Sequence, residues 1–275
     1  MAFLGSRPAA DPVVSLLGVP FDATSTFRAG SREGPAAVRW ASQSIETYSP
    51  VLQRDLDDVA YADLGDLDVA GHTPEQLVDA VRERLSTLGE TRPLLLGGEH
   101  TITLGAVLAL RRHNPDLAVV QVDAHTDLRD AYEDRRISHA TVMRRDPDAL
   151  GPAQIVQLGV RAGTREEFAI ARGFRYSTPR LEIPATVWSW LERQRVYVSI
   201  DVDAIDPADA PGTGNPEPEG LRAADLLGFV RRLGLLQVVG LDLVEVSPPY
   251  DPSGRTAVLA ATIVREAILA ICGKA

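Results

Sequence analysis

The sequence predicts an α/β fold built on a mostly parallel sheet, and three observations carry that expectation. Short apolar runs alternate with longer amphipathic stretches along the 275 residues. Several of the runs are apolar at consecutive positions, as strands covered on both faces must be. Four runs end in acids and histidines, and ligand sites of parallel sheets form at the carboxyl ends of their strands.

In chain order, a strand is expected at 13–19 and a helix at 35–43, then a strand at 59–64. The helix expected at 74–88 repeats Leu77, Val78, Val81 and Leu85 at helical spacing, with Glu75, Asp79 and Glu83 elsewhere on the wheel. Strand 93–96 precedes helix 101–112, and strand 117–122 precedes helix 138–145. Strand 154–160 leads to helix 165–172, and helix 185–193 to strand 196–200. Helix 222–233, strand 235–246 and helix 256–271 complete the pattern. Segment 206–220 holds Pro207, Pro211, Pro216 and Pro218 with Gly212, Gly214 and Gly220, so it is neither helix nor central strand. The strand–helix rhythm continues on both sides of it. We therefore expect one domain, 1–275, with a long functional loop, in preference to an interdomain hinge.

Composition removes several function classes. A chain this long buries about three quarters of its unfolded surface, so its core needs no staples. Lys and Arg number 28 against 38 Asp and Glu, a formal charge of −10. That balance argues against binding nucleic acid or an anionic membrane. Aromatics at 5% offer few stacking platforms for bases. Cys272 is the single cysteine, which excludes an internal disulfide and a thiolate zinc site. Residues 1–14 lack the apolar core of a signal peptide, and no window reaches 18 apolar residues, so a cytoplasmic protein is expected.

The chemistry is concentrated at the strand ends. Strand 93–96 runs into Gly97, Gly98, Glu99 and His100; strand 117–122 into Asp123, Ala124, His125, Thr126 and Asp127. Strand 196–200 runs into Asp201, Val202 and Asp203, and the last strand contains Asp242 and Glu245. Extended chain repeats its side-chain direction every two residues, so Asp123, His125 and Asp127 are expected to share a face, as are Asp201 and Asp203. Gly97 and Gly98 would permit a tight turn carrying His100 into the same region. Four converging aspartates would cost several kcal/mol each to bury unpaired, and two divalent cations match their charge. The pattern fits a two-metal hydrolytic site, with ions roughly 3.5–4 Å apart and a water activated between them. Oxygen-rich ligation with histidine and no thiolate favours Mn²⁺. His72 and His113 flank helix ends and are expected to be solvated.

These motifs resemble those of the ureohydrolases, the family of arginases, agmatinases, guanidino-acid hydrolases and formiminoglutamases. The resemblance rests on Gly97-Gly98-Glu99-His100-Thr101, Asp123-Ala124-His125-Thr126-Asp127 and Ser199 through Pro207. It extends from Gly18-Val19-Pro20-Phe21-Asp22 to Gly240 through Pro248, nearly the whole chain. Ile45 through Pro50 and Val244 through Asp251 look most like the agmatinase branch. The resemblance implies a three-layer α/β/α fold of the kind shared by arginases and metal-dependent deacetylases, a Mn²⁺ pair and urea as product. It places one ion on His100, Asp123, Asp127 and Asp201, and the other on Asp123, His125, Asp201 and Asp203. By the same resemblance Asp127 also steadies the attacking water, Glu245 pairs with the substrate guanidinium, and His139 shuttles a proton to the leaving amine.

Where many members read Gly-Thr-Pro-x-x-Gly-Gly, this chain has Gly214-Asn215-Pro216-Glu217-Pro218-Glu219-Gly220. Asn215 is thus expected at the substrate, and Glu219 removes conformational freedom that glycine would give. The loop from Gly159 to Glu167, with Arg161, is expected to help bind the substrate's tail, although Arg161 could equally serve a structural ion pair. No arginase-like α-amino-acid pocket is evident there. Agmatine is the first substrate expected, 4-guanidinobutyrate the second, and arginase or formiminoglutamase activity further alternatives. A one-zinc deacetylase and a non-catalytic oligomer partner are rivals of other classes. The family implies homotrimers or homohexamers. No G-x-S-x-G, P-loop or G-x-G-x-x-G supports a serine hydrolase or a nucleotide site, and the one lysine is Lys274.

Overall fold

The computed structural model describes residues 1–7, 9 and 11–272, with the backbone alone at 146–148; Lys274 lies outside the described residues. Among the described residues, ten strands alternate with eight helices. The strands are β1 (Val14–Val19), β2 (Tyr48–Ser49), β3 (Arg54–Asp55), β4 (Tyr61–Asp66), β5 (Arg92–Gly97), β6 (Ala118–Val122), β7 (Ile155–Leu158), β8 (Tyr176–Thr178), β9 (Arg195–Asp201) and β10 (Gln237–Val244). The helices are α1 (Gly34–Ser42), α2 (Pro74–Ser86), α3 (Ile102–Leu110), α4 (Val142–Leu150), α5 (Arg165–Ala171), α6 (Ala185–Leu191), α7 (Ala223–Arg232) and α8 (Arg255–Ile271).

Eight strands form one parallel sheet in the order β4-β1-β5-β10-β9-β6-β7-β8, while β2 and β3 pair as a small antiparallel hairpin. Side chains alternate between two cores. Leu94 and Leu96 join one with α1, α6, α7 and α8; Leu95 joins the other with residues of α2 to α5. This is the three-layer α/β/α arrangement expected. In α2 the four periodic residues Leu77, Val78, Val81 and Leu85 are the buried ones, and a Thr73–Gln76 capping box with Pro74 in the first turn fixes its start.

Three differences from the sequence expectation have physical causes. The helix expected at 138–145 opens as a 3₁₀ turn, His139–Thr141, before α4, because Ser138 and Thr141 cap one another. Strand β8 and the β2–β3 hairpin went unpredicted: two or three residues carry no readable periodicity. Gly97 and Gly98 are needed for close approach, since neither adopts positive φ. A Cβ on Gly98 would overlap the carbonyl oxygen of Phe21, whose strand-end loop runs alongside.

Central strands β5, β10, β9 and β6 are mutual neighbours, and their carboxyl ends open onto one crevice. Segment 206–220 is closed at its base: Asp206 N–H donates to Leu221 O (2.9 Å), and Leu221 N–H to Ala204 O (2.9 Å). It loops over that crevice.

Candidate functional site

Each strand end delivers its ligand by a different local device. Gly98 N–H donates to Val19 O and Glu99 N–H to Phe21 O, which pins the chain after β5 and buries His100. After β6, Asp123 continues the strand, His125 bridges to Ala162, and Asp127 turns back with φ of 52°. After β9, Asp203 sits in a 3₁₀ turn whose N-cap is Asp201, and Asp203 N–H donates to Asp201 Oδ1 (2.8 Å). Two-residue alternation therefore points to residues that do meet, but for an incomplete reason: a left-handed kink and a 3₁₀ turn make them converge. Glu245 also has positive φ, 65°, and its Oε1 accepts from His100 N–H (2.9 Å). Non-glycine residues in this region are strained, and such strain collects at functional sites.

The groups meet closely. His100 Nδ1 lies 3.1 Å from Asp123 Oδ2, 3.0 Å from Asp127 Oδ2 and 3.6 Å from Asp201 Oδ2. His125 Nδ1 lies 2.9 Å from Asp203 Oδ2 and 3.8 Å from Asp123 Oδ1. Two sets, His100–Asp123–Asp127 and Asp123–His125–Asp203, each present one ligand atom per residue within 4.8 Å of the others, and Asp123 is common to both.

Does this donor set fit metal? His100 Nδ1 is buried with no hydrogen-bond partner among the described residues, although carboxylates surround it. Its other nitrogen, Nε2, is 2.8 Å from Ser199 Oγ, and Ser199 in turn donates to Asp242 Oδ1 (2.6 Å). The serine proton is thus committed to Asp242, so Nε2 carries the imidazole proton and Nδ1 offers its lone pair. Asp242 also accepts from Thr103 Oγ1 (2.7 Å) and Tyr197 Oη (2.6 Å), all buried. A ligating histidine held by an outer carboxylate is the usual support of a metal site. The residues fit a pair of divalent cations.

Protonation tells the same story. Burial drives Asp201 and Glu245 well above the ordinary carboxylate range, with repulsion from Asp203 on the first and from Glu99 on the second. Asp127 is raised by burial and by Asp123. Burial alone would lower the histidines, but Asp123 and Asp127 raise His100 well above its usual value. Likewise Asp203, Asp123 and Asp127 raise His125 to about 10. Burial opposes ionisation of Asp203, yet the His125 ring and the Ala124 N–H hold its carboxyl low. Such a cluster retains protons where cations would otherwise sit.

A cavity of about 280 Å³ opens over these groups, lined by His100, His125, Asp127, His139, Asp201, Asp203, Asn215 and Glu245. Asp123 is fully buried, 3.1 Å from the lining His100. Thr164 and Glu167, from the loop expected at the substrate's tail, also line it, as do Thr26, Arg129 and Tyr132, to which the sequence assigns no role. Their contribution depends on loop paths that no local pattern reveals. His139 is buried, which lowers its basicity, and its ring meets Tyr132 edge-on at 5.8 Å.

Arg161 does not line the cavity. Its five guanidinium N–H groups donate to carbonyls: Nε to Pro218, Nη1 to Gly159 and Ala204, Nη2 to Asp203 and Glu217, all at 2.9–3.1 Å. It fastens segment 206–220 to the end of β9, so it is neither a group for the substrate's tail nor half of an ion pair. Glu219 does adopt φ of 61°, the conformation for which glycine is favoured. His72 and His113 lie away from the site; His72 is half-buried and His113 exposed.

The arginase-family model matches residues 13–270. The chain is 41% identical over 275 residues to the agmatinase of Bacillus anthracis, covering 97% of this chain and 95% of that protein. It is 37% identical over 278 residues to the guanidinobutyrase of Pseudomonas aeruginosa, covering 94% and 86%. The crystal structure of the agmatine ureohydrolase of Thermoplasma volcanium has a TM-score of 0.89 at 36% identity, covering 98% of this chain and 93% of that one. With this similarity running the length of the chain and the acids and histidines of four strand ends gathered in one cavity, the chain belongs to the arginase family.

Proposed function

We propose that the chain, as a single domain spanning 1–275, hydrolyses agmatine to putrescine and urea with a pair of Mn²⁺ ions. The observation that carries this reading is the placement of Glu245. It is a buried carboxylate lining the same cavity as the metal-type ligands, and its Oε1 is anchored by the His100 N–H. A planar guanidinium is the natural partner of such a carboxylate. His100, Asp123, Asp127 and Asp201 would hold one ion; Asp123, His125, Asp201 and Asp203 the other. When bound, the ions would supply a strongly nucleophilic water at neutral pH and stabilise the negative charge on its oxygen.

The chain's own residues do the rest. Glu245 orients the guanidinium so that its carbon faces the metal-ligand cluster. Asp127 accepts a hydrogen bond from the attacking water. His139 takes up the proton that this water loses and returns it to the departing nitrogen, so that the C–N bond breaks to give amine and urea. Its lowered basicity keeps the ring neutral and ready to accept.

The cavity rim carries Arg129, whose guanidinium stacks over Tyr132 at 4.8 Å, while the buried Glu167 is already engaged by Thr126, Leu128 and Thr164. A cation at the rim favours a substrate ending in carboxylate. 4-Guanidinobutyrate is therefore the second reading, and a homologous guanidinobutyrase supports it. The agmatinase relatives, more similar to this chain, favour the first. We further propose a cytoplasmic homotrimer or homohexamer, measurable by light scattering. Among the described residues no helix is long and apolar enough to cross a membrane.

The deciding assay is urea release by Mn²⁺-loaded protein from agmatine, 4-guanidinobutyrate and L-arginine in parallel. Agmatine is expected to be hydrolysed fastest. Faster turnover of the guanidino acid would transfer the assignment to the second reading, and no urea from any of the three would overturn both.

A further inference from the structure

Behind His139 stands a buried polar relay to which neither the metal cluster nor guanidinium binding assigns a task. Thr24 Oγ1 is 2.6 Å from Glu99 Oε1, 3.0 Å from His139 Nδ1 and 3.1 Å from His139 N. Glu99 Oε2 accepts from Thr24 N–H at 2.7 Å, and its Oε1 also accepts from the Thr101 hydroxyl. Glu99 is fully buried, and Thr24 and His139 nearly so. Among the described residues, every partner of the Glu99 carboxyl is a donor.

A hydroxyl has one proton and two lone pairs. Thr24 gives its proton to Glu99, the shortest of its three contacts. One lone pair accepts the His139 backbone N–H. The other faces Nδ1, and the contact is a hydrogen bond only if Nδ1 carries the ring proton. The neutral imidazole then has its free lone pair on Nε2, which has no hydrogen-bond partner among the described residues, on a ring that lines the cavity. Tyr132 packs its edge against the same ring and limits its rotation.

We propose that Thr24, backed by Glu99, is a positioning residue that fixes His139 as the Nδ1–H tautomer and presents Nε2 to the cavity as its proton-transferring atom. The kinetic part of this inference rests on the proton-shuttle reading of His139 above. Without the threonine hydroxyl, Nδ1 and Nε2 compete for the proton. Molecules holding it on Nε2 have no acceptor where the water's proton must go. The relay joins residues 24, 99 and 139, so the first strand-end loop takes part in chemistry otherwise built on β5, β6, β9 and β10.

The test uses full-length protein labelled with ¹⁵N-histidine. The chain has 5 histidines, and the His139 ring signals are assigned by their loss in His139→Asn. In metal-free wild type the nitrogen shifts should show Nδ1 protonated and Nε2 bare. Thr24→Val should shift the ring toward a mixture or toward Nε2–H, and Thr24→Ser should restore the wild-type pattern. In Mn²⁺-loaded enzyme, Thr24→Val should lower kcat about tenfold or more while KM and bound metal stay near wild type, with Thr24→Ser recovering most of the rate. An Nε2–H tautomer in the wild type would overturn the proposal, even should Thr24→Val not fold. So would a folded Thr24→Val that keeps both the tautomer and kcat. Because the tautomer is read without turnover, a protein that shows the expected signals but releases no urea contradicts the assigned reaction and leaves the positioning role standing.

Discussion

Asp203 is held through its carboxylate, its N–H and, by Arg161, its carbonyl. Its Oδ2 faces His125 at 2.9 Å, its Oδ1 accepts from the Ala124 N–H at 3.1 Å, and its own N–H is held by Asp201. Asp203→Ala removes a ligand and releases the His125 ring. The variant should bind less metal by elemental analysis and release no urea; full metal content with an unchanged rate would refute the two-metal assignment. His139→Asn should behave in the opposite way, retaining metal while kcat falls about 10²–10⁴-fold, the usual worth of a positioned proton-transfer group. The aspartates and histidines that meet in the cavity were legible in the sequence because few residue types can hold a metal and they recur at the ends of successive strands. Asn215 was legible through the altered loop motif that contains it. Thr24 was not: a buried hydroxyl takes its meaning from a partner 115 positions away, and threonine is common in any loop.

Among the elements, the strands and helices were readable wherever burial imposed a period, as in the doubly covered β6 or the one-sided α2. Edge strand β8, half-buried along its three residues, gives no such signal. The loops show the limit of reading by alternation, since the 3₁₀ turn at 202–204 and the left-handed Asp127 do work that extended chain would not. Arg161 is the plainest case. Its charge suggested a substrate contact, whereas five carbonyls fix it as the fastening of segment 206–220. Arg161→Met should cost about 2–4 kcal/mol in denaturant unfolding, because several carbonyls lose a charged donor at once. It should also raise KM through a loosened Asn215 while leaving the metal ligands in place. Unchanged stability would show that water replaces the guanidinium without loss.

For the whole molecule, the metal-free protein should depend on pH in a definite direction. His125 binds its proton more tightly folded than unfolded, from an ordinary 6.5 to about 10. The stability this contributes is complete below about pH 6.5 and is lost as pH rises toward 10. Asp201 and Glu245, also raised, act with the same sign. The Tm of metal-free protein should therefore fall across that window. Loading with Mn²⁺ should release protons into weakly buffered solution and flatten the decline. A metal-free Tm independent of pH would contradict the crowded-carboxylate description. The parallel sheet was evident from the sequence, but its strand order was not, because no local pattern says which strands become neighbours. That order has a consequence for synthesis. The strand between β5 and β9 is β10, the last to be made. A chain emerging from the ribosome must keep two apolar edges apart, unpaired, until Gln237–Val244 has been translated. Those open edges are templates for wrong partners, so the nascent protein is most vulnerable to aggregation just before β10 emerges. A ribosome stalled short of residue 237 would hold a split half-sheet in need of a chaperone, with no functional centre to protect it.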